Sequence, residues 1–131
     1  MAEKWTPKMV AERLEEAAAT MRRLVVRGLR PREFGNAWPP VIHEAMEAYG
    51  WNEILLRLGP PPADAITRMD QALLWLRWLD VEQLRLVWLH ADRVPRKVIM
   101  SSLGASRATT WRLWMSSLMI IANRLNATPE D

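Results

Sequence analysis

A chain of 131 residues, half of them hydrophobic, is long enough to bury a core without staples and too apolar for wholesale disorder. The absence of cysteine excludes disulfide frameworks, thiol nucleophiles and Cys-ligated zinc, and two histidines leave little for metal or triad chemistry. The net charge of +3 is unevenly placed: up to position 92 there are 12 Lys/Arg against 13 Asp/Glu, but residues 93 to 129 hold Arg93, Arg96, Lys97, Arg107, Arg112 and Arg124 with no acid, the footprint expected of a surface that meets phosphates.

The opening residues MAEKWTPK lack an apolar signal core, and no run approaches membrane-spanning length. A protein of the cytoplasm with no membrane partner is therefore expected. Thr6 as N-cap and Pro7 at the first helical position predict a helix whose apolar stripe runs through Met9, Val10, Leu14, Ala17, Ala18, Met21, Leu24 and Val25. Gly28 and Pro31 end it, and the Gly/Pro-containing stretch 27–40 reads as a loop. Pro39 or Pro40 opens a second helix to about Tyr49, which Gly50 stops. GPPP at 59–62 is the clearest linker, stiff and extended.

After the linker, Ile66, Met69, Leu73, Leu76 and Leu79 recur at helical spacing and predict one helix through Leu79. Asp80 caps the next, with Glu82 and Gln83 in its first turn. Pro95 opens a short helix, Gly104 breaks it, and Ser106 caps a last helix to about Asn126. No strand-like alternation and no internal repeat occur. The fold class expected is all-α, roughly six helices, a helical bundle with a C-terminal helix-turn-helix. The organisation divides at the linker into residues 1–62, a helical region with a loop-rich linker, and residues 63–131, a helical domain carrying the helix-turn-helix.

Residues 96 to 113 fit the geometry of that motif. Gly104 sits where the turn needs a left-handed backbone, Val98, Ile99 and Leu103 supply the apolar face of the first helix, and Leu113 lies in the core-facing stripe of the second. Ser106, Arg107, Ala108, Trp111 and Arg112 then face away from the supporting helices. Arginine there suits guanine edges or phosphates, and hydroxyls suit phosphates or bases. The DNA-contacting set expected is Arg107 and Arg112 in the major groove, Ser106 and Thr109 fixing the helix on the backbone, and Arg93, Arg96 and Lys97 on phosphates. Trp111 is large for a recognition position and suits stacking, a thymine methyl or an oligomer interface. An ordinary helical hairpin that binds nothing is the competing interpretation of the same turn.

The stretch LDVEQLRLVWLHADRVPRKVIMSSLGASRATTWRLWMSSLMIIANRL resembles the DNA-reading fourth region of primary sigma factors and related phage regulators. Leu79 and Glu82 match its Leu-x-x-Glu element, and Gly104, Ala105, Ser106 and Arg107 match its turn. Over nearly its whole length the chain resembles a family of small phage and prophage proteins, through Trp5, Thr6, residues 13–17, 38–41, 47–51 and 66–79, and Ser106 to Thr109. The resemblance implies a phage-type transcription regulator in a bacterial host cell, with double-stranded DNA and RNA polymerase as partners. Two positions depart from the pattern. Met100 stands near a position that is usually Ala. Thr110 stands where Val or Ile is common, which predicts looser packing of the second helix.

Eight tryptophans invite a base-stacking reading, as in single-strand binders, but Trp75, Trp78, Trp88 and Trp114 lie beside apolar stripes and read as core. Trp38 and Trp51 read as loop residues covering core. The last helix, with Trp111, Trp114, Leu118, Ile121 and Leu125 on one side and Leu113, Met119 and Ile120 on others, is apolar nearly all round and predicts burial on more than one face. A homo-oligomer, a dimer before others, follows from that. The paired carboxylates Glu15/Glu16 and Glu44/Glu47 with His43 come with no nucleophile, phosphate loop or metal spacing. No catalytic residue, metal or cofactor is therefore expected. A small-terminase-like packaging subunit and a protein-binding inhibitor that keeps the motif as scaffold are the alternatives.

Overall fold

The computed structural model describes residues 4–25 and 59–127. The expected loop at 27–40, the helix to Tyr49, and Trp38 and Trp51 lie outside them. Among the described residues the chain is all-α: α1 (Pro7–Val25), α2 (Ala63–Trp75), a 3-10 turn (Leu76–Trp78), α3 (Val81–Ala91), α4 (Arg96–Leu103) and α5 (Arg107–Ala127). None of these helices is long and apolar enough to cross a membrane.

α1 starts where its cap dictates. Thr6 Oγ1 accepts the Met9 N–H at 3.2 Å, and Pro7 spends no donor in the first turn. The helix buries Val10, Leu14, Ala17, Ala18, Met21 and Leu24 and packs most extensively on α2, whose matching face is Ala65, Met69, Ala72 and Leu73. At its C-terminal end Arg23 donates to the carbonyls of Gly59 (3.1 Å) and Pro60 (3.0 Å), tying the linker to α1. Arg68 of α2 pairs Glu16 in a two-pronged contact of 2.8 and 3.0 Å.

The helix expected to run through Leu79 ends at Trp75 and tightens into the 3-10 turn. Its neighbour explains the break. Asp80 caps α3 through a full capping box, its Oδ1 accepting the Gln83 N–H at 2.8 Å while its own N–H donates to Gln83 Oε1 at 3.0 Å. An N-cap needs extended backbone, and Leu79 and Asp80 are both extended. The chain therefore leaves the α-helical region before Leu79, with a last bond from the Leu79 N–H to the Leu76 carbonyl.

α3 is the central helix, packing on α1, α4 and α5, with Leu86, Val87, Trp88, Leu89 and Ala91 buried. α1 also packs on α5, so residues from the first and last helices enter one hydrophobic cluster: Val10 and Leu14 with Leu118, Ile121 and Ala122. Trp75 and Trp88 are buried, and Trp78 and Trp114 pack against that cluster from its edge. Trp5, ahead of α1, also meets Asn126 of α5. Asn126 accepts from the Trp5 N–H at 2.7 Å and donates back to the Trp5 carbonyl at 2.9 Å, while Trp5 packs edge-on against Trp75 with 5.2 Å between ring centroids.

Candidate nucleic-acid interface

α4 and α5 meet in the expected turn. Gly104 has φ 64° and ψ 32°, and its N–H and that of Ala105 both turn back to the Met100 carbonyl. A side chain there would touch nothing within 4 Å, so the backbone conformation, not space, calls for glycine. Ser106 then caps α5. Its Oγ accepts the Thr109 N–H at 3.2 Å and donates to Thr109 Oγ1 at 3.0 Å. Thr109 Oγ1 thereby keeps its own proton for an outside acceptor.

Two expectations about packing are corrected. Thr110 does not loosen α5: it is buried, and its hydroxyl donates to the Ser106 carbonyl at 2.8 Å, so the polar atom is satisfied within the helix's first turn. Val98 does not join the inward face of α4. It is 38% exposed, and Ile99 is the residue that α4 buries, with Leu103 packed against the core's edge. A helix of eight residues presents little inward surface, and the two neighbouring positions diverge by about 100°. α5 is likewise less enclosed than its composition suggests: Ser117, Leu118, Ile121 and Ala122 are buried, while Trp111 (55%) and Met119 (48%) stand out.

Ser106, Arg107, Ala108, Trp111 and Arg112 are all exposed at the start of α5, as the spacing predicts, and so is Thr109. Beside them lies an open concavity of about 660 Å³. Arg96 from α4 and Arg107, Trp111 and Arg112 from α5 surround it, with His90, Ala108 and Thr110 completing the wall. Among the described residues no acid lines it. Four of the expected contact residues do not line it: Ser106 and Thr109 at the start of α5, and Arg93 and Lys97. Arg93 precedes α4 in a left-handed conformation (φ 59°) and faces Glu15 of α1 at 3.6 Å, and Lys97 is exposed on α4 outside the concavity. Arg124, the last cation of the acid-free stretch, lies over the Trp78 ring at 5.6 Å, far along α5 from the turn.

His90 had no assigned part in the sequence reading, and the fold brings it to the site. Its ring stacks on Trp114 with 4.4 Å between centroids and separates the large concavity from a smaller hollow of about 120 Å³ that Glu15 helps to line. Burial, and secondarily the Arg96 charge, hold its imidazole below its ordinary pKa. The wall of the concavity thus carries three guanidinium groups and a neutral ring at pH 7. The only sequence sign was the place of His90 in the last turn of α3, close before the basic stretch.

The carboxylate pair Glu15/Glu16 is taken up by arginines, Arg93 and Arg68 respectively, and His43, Glu44 and Glu47 lie outside the described residues. Among the described residues no three His, Asp or Glu side chains gather in a way that could hold a metal ion.

Residues 22–121 match the family described as Domain of unknown function (DUF6362). No match was found among curated proteins, nor among solved structures.

Proposed function

We propose that this chain, which belongs to the DUF6362 family, is a sequence-specific double-stranded DNA-binding protein, a phage-type transcription regulator acting in the cytoplasm of a bacterial host cell. One observation carries the reading. A short helix, a left-handed glycine turn and a Ser-capped second helix present Arg107 and Arg112 outward, with Arg96 beside them and no acid among the described residues of the surface they share. A helix entering the major groove reads bases from its N-terminal residues, and those are the positions Arg107 to Arg112 occupy. Ser106 and Thr109 at the helix start, with Arg96 and Lys97 from α4, suit the flanking phosphates. Phosphate contacts supply affinity and base-edge contacts supply specificity, so Arg107 and Arg112 are the residues that would discriminate sequences. Arg93 belongs at the margin of such an interface because Glu15 already faces it. In this reading the protein is no enzyme, RNA polymerase is a further partner, and a dimer supplies two half-site readers.

Binding to pooled duplex DNA at two salt concentrations tests this, with Arg107→Ala/Arg112→Ala beside the wild type. Wild-type affinity falls steeply with salt, and the double substitution weakens binding and relaxes the preference among sequences, while the phosphate contacts of Arg96 and Lys97 keep the salt dependence that remains. Absence of duplex binding at low salt sinks the reading and leaves the protein-binding scaffold. The exposed Trp111 and Met119 favour assembly through α5, which keeps the packaging subunit as second reading. Its sign is a ring, against a dimer for the regulator, in sedimentation equilibrium.

A further inference from the structure

A protein that only lays a helix into a groove needs a convex ridge of side chains. Here the arginines of the recognition surface instead surround a hollow. Its volume of about 660 Å³ falls within the range of small-molecule sites, roughly 300 to 1,000 Å³. Its wall is mainly apolar, its charged members among the described residues are all cationic, and the indole of Trp111 lines it with more than half its surface exposed. Exposed tryptophan is costly to leave in water, and neither its ring stacks on another aromatic nor does an arginine cover it among the ring contacts of the described residues. Arg96, Arg107 and Arg112 make no ion pair with any described acid. A flat apolar face beside three uncommitted guanidinium groups matches one ligand chemistry: a planar heterocycle carrying phosphate.

We propose that this concavity is a nucleotide site, in which Trp111 stacks a base and Arg96, Arg107 and Arg112 hold its phosphate groups. The proposal rests on the reading of this face as a DNA-contacting surface. The same chemistry has two sources, a free nucleotide that occupies the surface in competition with duplex, or an unpaired nucleotide within a DNA strand. His90 and Thr110 close the wall behind the ligand. Thr110 is buried and spends its hydroxyl proton on the Ser106 carbonyl, so it closes the wall without a donor left for the ligand.

Calorimetric titrations of the full chain in chelator test it, with dATP, inorganic tripolyphosphate and single-stranded oligo(dA) as probes. Stacking of one base is worth about 5-fold or more in affinity, so dATP binds at least about 5-fold more tightly than tripolyphosphate. Trp111→Ala removes that difference and Trp111→Phe restores it, while Arg96→Gln/Arg112→Gln weakens both probes. Thermal melts of each variant certify its fold. Oligo(dA) binding more tightly than dATP identifies the unpaired strand as the source, and the reverse identifies the free nucleotide. Equal affinity for dATP and tripolyphosphate, insensitive to Trp111→Ala, overturns the site and reduces it to a patch of positive charge. Duplex binding is measured beside these titrations. Duplex without dATP binding overturns the nucleotide site alone, and dATP without duplex binding overturns the DNA-reader function alone.

Discussion

Asp92 is 3% exposed and caps the end of α3, where Arg22 of α1 donates both to its carboxylate and to its backbone carbonyl. Burial raises its pKa, and the Arg22 charge and hydrogen bond only partly offset this. A carboxyl with a raised folded pKa contributes stability that is present below its ordinary value and lost as pH climbs through the folded one. Arg22→Met leaves that carboxylate buried without its cation, so the variant loses about 3 to 5 kcal/mol at pH 7 and regains part of it on acidification. Urea unfolding at pH 7 and near pH 4 reads the effect, and a loss equal at both pH values would contradict the assignment. His90 works with the opposite sign. Its folded pKa is lowered, so its stabilising contribution is complete above the ordinary value of 6.5 and fades as pH falls toward the folded one. His90→Gln therefore flattens the fall in stability on moving from pH 7 toward pH 5, relative to wild type. At this scale the sequence reading saw the polar caps and missed both groups. A histidine or aspartate acquires its environment from residues remote in the chain, 70 positions away in the case of Arg22 and Asp92.

Between α4 and α5 the helices depend on a turn of three residues, and each contributes a separable backbone effect. Gly104→Ala meets no steric obstacle, so its cost is the left-handed conformation alone, about 1 to 2 kcal/mol. Gly104→Asn costs less, because asparagine tolerates that region. Ser106→Ala removes the cap on the Thr109 N–H and costs about 1 kcal/mol. Amide exchange should show faster opening at the start of α5 in that variant, with α1 and α2 unchanged; uniform loss across all helices would mean that the cap has no local role. Most helix starts were legible because capping is local: Thr6, Asp80 and Ser106 each bond within three residues. The end of α2 was not, since Leu76 and Leu79 keep helical spacing across a break that the cap of α3 imposes.

Across the whole molecule, α1, α3 and α5 share one core, with Leu118 at 1% exposure in the cluster that Leu14 and Leu86 also enter. Leu118→Ala is expected to cost about 2 to 5 kcal/mol. Circular dichroism and tryptophan emission should report that loss as one coincident transition, and two separated transitions would show that α1 does not fold with the C-terminal helices. The Trp5–Asn126 pair of hydrogen bonds clips the first helix to the last from outside this core. Opposite charges from distant segments reinforce it, Arg68 with Glu16 and Arg22 with Asp92. The first of these is more than a third exposed on both sides and adds little to stability.

What the sequence determined by itself was the helical class, the positions of the N-caps, the left-handed turn at Gly104 and the outward placing of Arg107, Ala108, Trp111 and Arg112. Each rests on contacts within a turn of helix or on a period of 3.6 residues, which a linear chain displays directly. Tertiary structure decided the rest: that Arg93 meets Glu15, that Thr110 is sealed and Val98 is not, and that His90 with Arg96 and Trp111 borders one hollow. Those outcomes depend on the angles and depths at which α1, α3, α4 and α5 pack, set by the summed shapes of side chains from every helix and carried by no single stretch of sequence.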